Sequence, residues 1–236
     1  MSTPPAPADV ILSQPRPVLF LDTCALLDIV RAPYRKELGE DTIDAALKLR
    51  ERLGESPPAY HAAGSTILGT EFANNVVAVE RELLGAIEAG TRIVAVQNLI
   101  EALAPPVPDF SNLRDRLVAL ANDLLGRVLL IPEDQSCIGR AFARVLERRA
   151  PAVKNNSVKD AYLIEQCLAL CRELRSRGFG ERIVFCSSNP DDFSDPRAPK
   201  RFHPDIAAEA VAVGLEYFPS LRAAVGSLGA TLRNAT

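Results

Sequence analysis

The stretch Pro17-Val18-Leu19-Phe20-Leu21-Asp22-Thr23-Cys24-Ala25-Leu26-Leu27-Asp28-Ile29-Val30-Arg31 decides the fold. Val18 to Leu21 is an apolar run short enough for a buried strand, and it ends abruptly at Asp22. Thr23 to Arg31 then reads as the first turns of a helix. Working outward, the same succession returns. Ser65 to Leu68 is a candidate second strand, followed by a helical pattern from Gly69 to Ala89 with Glu71 in its first turn. Val128 to Ile131 is a third strand, followed by a helix from Gln135 to Arg149. Arg182 to Ser187 is the clearest strand of the chain, preceded by a long helix from Val158 to Arg177. Further helices are expected over Arg35 to Leu53, Arg92 to Leu103, Asn112 to Leu125 and Asp205 to Val213, then a strand from Leu215 to Phe218 and a terminal helix. Prolines 105, 106 and 108 separate two of these helices, because proline cannot continue one. Strands alternating with helices imply an α/β fold: a central parallel sheet covered on both faces, with a helical insertion in the middle of the chain.

The 236 residues suffice for one domain with a full core, taken as 17–236, with the proline-rich residues 1–16 as a flexible arm laid on the surface. No run approaches the roughly 20 apolar residues of a membrane span, and the first residues lack the basic-then-apolar order of a signal peptide. A cytoplasmic protein with no membrane partner is the expectation. The five cysteines, Cys24, Cys137, Cys167, Cys171 and Cys186, are scattered among apolar residues and read as reduced packing thiols. With two histidines in the chain, His61 and His203, both in proline-flanked contexts without a partner, zinc is disfavoured. A net charge of −3 excludes a protein that coats nucleic acid by bulk electrostatics, but it allows a transient substrate drawn to a local cation.

In an open parallel sheet ligands bind beyond the carboxyl ends of the strands. Asp22 and Glu71 follow the first two strands, Ser187-Ser188-Asn189-Pro190-Asp191-Asp192-Phe193 follows the clearest one, and Asp160 opens the long helix. Acids from four distant points of the chain would repel one another wherever the fold gathered them, unless one or two divalent cations stood between them. Mg2+ or Mn2+ suits such oxygen ligands, and phosphodiester hydrolysis is the expected chemistry. The competing roles are helix capping for Asp22, a helix-dipole partner for Glu71 and Asp160, and a turn residue for Asn189. Thr23 is read as orienting Asp22 or as a simple cap, and Asp191 as a solvated loop charge. Lys154, Lys159, Arg197, Lys200 and Arg201 flank these positions as phosphate contacts or as ordinary surface. Glu165, about 140° around an ideal helix from Asp160, is a further candidate that could share a metal with Asp160 only if the helix start bends.

Leu21-Asp22-Thr23, Gly69-Thr70-Glu71-Phe72, Lys159-Asp160-Ala161 and Ser187 to Phe193 occur in the order seen in PIN domains, and the chain resembles that family from about Val18 to Phe218. The Asn156-Ser157-Val158-Lys159-Asp160 stretch is similar to a larger bacterial PIN-like group. The resemblance implies a three-layer α/β/α sandwich and a metal-dependent endoribonuclease. It assigns Asp22, Glu71, Asp160 and Asp192 to catalysis, the same four with Asn189 to the metal, Thr23 to their support, and Lys154 and Lys159 to RNA. It also implies an antitoxin protein, should the enzyme be the toxin of a pair, and a homodimer. Cys24 departs from the family pattern, which has Asn or Ser there. The alternative is a PIN-like module that binds RNA or protein without cutting. A phospho-acceptor role for Asp22 is disfavoured, because position 24 lacks the second Asp of aspartyl phosphatases.

Overall fold

The computed structural model describes residues 5–101, 109–154 and 157–233. The proline cluster 105, 106 and 108 and Asn156 lie outside the described residues. In chain order the elements are α1 (Pro7–Ser13), β1 (Val18–Leu21), α2 (Thr23–Arg31), α3 (Glu40–Leu53), β2 (His61–Ser65), α4 (Ile67–Glu101), α5 (Leu113–Gly126), β3 (Leu129–Ile131), α6 (Gln135–Leu146) and α7 (Val158–Ser176). They continue with β4 (Ile183–Cys186), α8 (Pro190–Phe193), β5 (Ser194–Asp195), β6 (Ala198–Phe202), α9 (Pro204–Val213), β7 (Leu215–Phe218) and α10 (Leu221–Arg233).

Five strands form one parallel sheet in the order β3-β2-β1-β4-β7, and β5 and β6 form a separate antiparallel pair. Because successive strand residues point to opposite faces, β1 sends Leu19 and Leu21 one way and Val18 and Phe20 the other. The first pair joins Ala62, Val184 and Cys186 in a core closed by α2, α3, α4, α5 and α10. The second joins Ala63, Ile183 and Phe185 in a core closed by α1, α7 and α9. Two apolar faces, each covered by helices, make the three-layer α/β/α sandwich expected from the sequence.

Several elements differ from expectation. The second strand lies earlier, at His61-Ala-Ala-Gly-Ser65, a run without the β-branched and aromatic residues that announce strands. Gly64 is required there, since a Cβ would stand 2.9 Å from Leu68 Cδ2 and 3.1 Å from Val128 Cγ1. That close approach seats the start of α4 on the end of β2. The helices expected over Gly69–Ala89 and Arg92–Leu103 are, as far as Glu101, one 35-residue helix, α4, and residues 102 and 103 lie outside the described residues. Read as one, α4 is long and apolar enough to cross a membrane by length and composition, which the sequence reading did not find. Its buried stripe of Leu68, Phe72, Val79 and Leu83 ends at Leu83, and Ile93, Val96, Leu99 and Ile100 stand exposed. The arm expected to lie loose contains α1, whose Ala8 and Ile11 are buried in the second core. His61, assigned no partner, is buried in β2 with Nε2 2.8 Å from the Gln14 carbonyl oxygen, so it ties this arm to the sheet. His203 caps α9, its Nδ1 accepting from the Asp205 amide at 3.3 Å.

Candidate active site

From β1 the chain steps outward through β2 to β3, then returns to place β4 on the other side of β1. The carboxyl ends of β1 and β4 therefore form the topological switch point, where parallel sheets of this kind open a crevice. Asp22 leaves β1 there, and Ser187 to Asp192 leave β4. The pairing of Leu21 with Cys186 sets Asp22 beside Ser187, whose Oγ donates to Asp22 Oδ2 at 2.5 Å. Asp22 occupies the cap position of α2 yet makes no side-chain cap hydrogen bond, so the capping role weighed against catalysis is not what holds it. It is 3 % exposed. Burial pushes its carboxyl up from 3.8 to about 6. The Ser187 and Cys24 hydrogen bonds oppose that rise, and the charges of Asp160 and Glu71 add to it.

Asp160 sits in the first turn of α7, whose amide end is capped by Ser157 Oγ accepting from the Asp160 amide at 3.2 Å. Its carboxyl is held above the usual range by burial, against the Ser157 hydrogen bond, with repulsion from Asp192 and Glu71 adding. Asp160 thus interacts electrostatically with each of the other three acids. Asp192, in α8 and 4 % exposed, is raised by burial, opposed by the Asn189 hydrogen bond and by Lys154, with Asp191 adding to the rise. Asn189 Nδ2 donates to Asp192 Oδ2, while Asp192 Oδ1 is buried without a hydrogen-bond partner. Glu71 projects from the part of α4 seated over β2, accepting from Thr23 Oγ1 at 3.0 Å and facing Lys159 Nζ at 3.4 Å. Thr23 therefore positions Glu71 rather than Asp22.

The structure links Asp22, Glu71, Asp160, Asn189, Asp192, Thr23 and Lys159 through hydrogen bonds, an ion pair and electrostatic coupling at the carboxyl end of the sheet. Lys154 pairs with Asp191 at 2.5 Å beside it. Lys200 and Arg201 lie on β6 and Arg197 in the turn before it, where its amide donates to Asp195 Oδ1 at 2.8 Å, away from the four acids in the fold. Glu165 points away, into a cluster of arginines. Sequence reasoning gave no role to Ser187, although its place at the end of the strand beside β1 is a usable signal. It also passed over Asp28, a buried acid on the apolar α2 with Arg31 one turn on as its signal.

Among the described residues no group of three or more carboxylate, imidazole or thiol side chains stands placed to hold a metal ion. The donors Ser187, Thr23, Asn189 and Lys159 occupy one oxygen or more of the carboxylates instead. The set still fits a hard divalent cation: all-oxygen donors, three carboxyls raised chiefly by burial, and an orphaned buried oxygen on Asp192. No family model, characterised protein or solved structure matches the chain.

Proposed function

We propose that this protein is a metal-dependent endoribonuclease of the PIN type, with RNA as substrate. The observation that carries the reading is an excess of negative charge at the switch point, with Asp22 and Asp192 buried, Glu71 and Asp160 part-buried, Asp160 coupled to the other three, and two exposed lysines, Lys159 and Lys154, as the nearby cations. Burying like charges without compensation is costly, and such arrangements are concentrated where function requires them. Asp22, Asp160 and Asp192 would hold Mg2+ or Mn2+, with Glu71 beside them; the ion would supply Lewis-acid polarisation of the phosphoryl oxygens and neutralise their charge. Ser187 fixes Asp22, Thr23 fixes Glu71 and Asn189 fixes Asp192, so the carboxylates are positioned before substrate arrives. Lys159 and Lys154, more than half exposed, stand where flanking phosphates of a bound strand would pass.

Cleavage of end-labelled single-stranded RNA by the purified protein, with Mg2+ or Mn2+ and with EDTA, tests the reading. Cutting that needs the metal, and that Asp160→Asn lowers by about 100-fold or more, is the expected result. Folded, metal-bound protein that cuts none of a diverse RNA set is a binding module instead, the alternative that Cys24 beside Asp22 favours.

A further inference from the structure

A cavity of about 470 Å3 opens one residue away from Asp22 and Asp192, bounded by α2, the segment after it, the β4–α8 turn and the β7–α10 turn. It is within the size range of small-molecule and nucleotide sites. Two of its wall residues are tied to the acids: Asn189 donates to Asp192, and Cys24 hydrogen-bonds to Asp22. Whatever occupies the cavity therefore lies against the group that would hold the scissile phosphate.

The cavity carries hydrogen-bonding groups of both signs. Asp28, 7 % exposed, accepts from Arg31 Nη1 at 3.3 Å and from the Ser188 side chain. Arg31 gives Nη1 to that pair, and its side chain remains 25 % exposed. A buried carboxylate and an incompletely used guanidinium thus lie side by side, with Leu38 and Pro219 supplying apolar wall. Phosphate would meet Asp28 and Glu37 as well as the arginines, so an anion gains little here. A flat heteroaromatic ring with adjacent donors on one edge and adjacent acceptors on another uses the whole arrangement. Among the nucleobases that is guanine, whose N1–H and N2–H can meet a carboxylate while O6 and N7 accept from an arginine. Unpaired RNA bases are commonly read in this way, splayed from the strand into a pocket on their polar edges.

We propose that this cavity binds a guanine base of the nucleotide adjoining the scissile phosphate, with Asp28 and Arg31 as its reading groups. The assignment of a neighbouring scissile phosphate rests on the nuclease reading above; the base preference does not. Calorimetric titration of the full chain with guanosine monophosphate and with adenosine monophosphate, in Mg2+, reads the preference without cleavage. Tenfold tighter binding of the guanine nucleotide is expected, with the ratio falling below threefold in Asp28→Asn and in Arg31→Ala. Equal binding of the two nucleotides by wild-type protein, or binding of neither, overturns the proposal whatever the variants do. Mapping cuts in a random-sequence RNA separates the two readings. Cuts concentrated next to guanine support the cavity assignment. Active protein cutting equally at all bases overturns it while leaving the nuclease intact. Guanine-selective binding without any cleavage keeps the base pocket and removes the nuclease.

Discussion

Helix α7 carries two acids with opposite surroundings, Asp160 part-buried and Glu165 buried. Asp160 faces Asp22, Glu71 and Asp192, a group whose paired cation is the exposed Lys159. Glu165, 2 % exposed, accepts from Arg140 Nε at 2.7 Å and Arg144 Nε at 2.5 Å. Arg144, itself 2 % exposed, reaches on to Glu209 at 2.5 Å and to the Ala150 carbonyl at 3.2 Å, and Arg149 and Arg172 also pair with Glu209. In the second cluster every buried charge meets its opposite within the chain, and the cluster joins α6, α7 and α9. In the first, the imbalance is left within the protein. Buried charge that is internally balanced is a structural tie; buried charge of one sign is a site whose counter-ion comes from outside.

Removing one charge from each cluster breaks the comparison if both respond alike. Arg144→Met leaves Glu165 and Glu209 short of a partner, so the protein should lose about 3 kcal/mol, the lower end for orphaning a buried ion, because Arg140, Arg149 and Arg172 remain. Urea unfolding at neutral pH measures it; a change under 1 kcal/mol would show that the arginine cluster ties nothing.

Next in size is the response to a cation. Mg2+ or Mn2+ at 100 times its dissociation constant should stabilise the protein by about 2.7 kcal/mol, since it binds the folded chain alone. Asp192→Asn should remove most of that gain, because it takes away the carboxylate with an orphaned oxygen. Thermal melts with and without EDTA decide it, and an unchanged midpoint across millimolar metal would leave the acidic cluster without its counter-ion.

Asp22→Asn should act in the opposite direction to Arg144→Met. In EDTA at pH 7 it should stabilise the protein by about 2 kcal/mol, the free-energy equivalent of the raised carboxyl less the hydrogen bonds an amide makes poorly. The folded Asp22 carboxyl loses its proton near 6 and the unfolded one near 3.8. The folded state therefore binds the proton more tightly, and ionisation penalises folding. The penalty is absent below 3.8, grows between 3.8 and 6 and is complete above. Stability curves of wild type and variant should converge at pH 4 and separate towards pH 7; parallel curves would mean that Asp22 carries no such burden.

The contrast between the two clusters was partly legible in the sequence. Asp22 is visible as the acid ending an apolar run, Asp192 in the segment after the clearest strand and Asp160 as the acid opening the long helix, so each could be found one at a time. Helix geometry alone sets Glu165 apart from Asp160 unless the helix start bends. The partners were not legible: Ser187 meets Asp22, and Arg144 meets Glu209, across separations in sequence that only the packed sheet closes. The fold showed the same division. Val18–Leu21 and Ile183–Cys186 announce themselves as apolar runs, whereas His61–Ser65 is a strand because of its place between β1 and β3, not because of its residues. The continuity of α4 was hidden for the converse reason: Gly90 and Thr91 read locally as a break in a helix that tertiary context carries through.

The smallest effect belongs to Lys159, the lysine that faces Glu71. Lys159 stands 3.4 Å from Glu71 with its side chain 68 % exposed, a geometry in which solvent screens the pair. Lys159→Ala should therefore change stability by less than about 0.5 kcal/mol. Its effect should appear with substrate: a lysine that meets an RNA phosphate contributes about one unit to the slope of binding against salt, roughly equally for all sequences. Measuring RNA affinity for wild type and variant from 50 to 300 mM salt checks this. A shallower slope with unaltered base preference places Lys159 on the strand's backbone. An identical slope, or a stability loss above 1 kcal/mol, would make Lys159 the internal counter-ion of the cluster and erase the difference between the two ends of α7's charge.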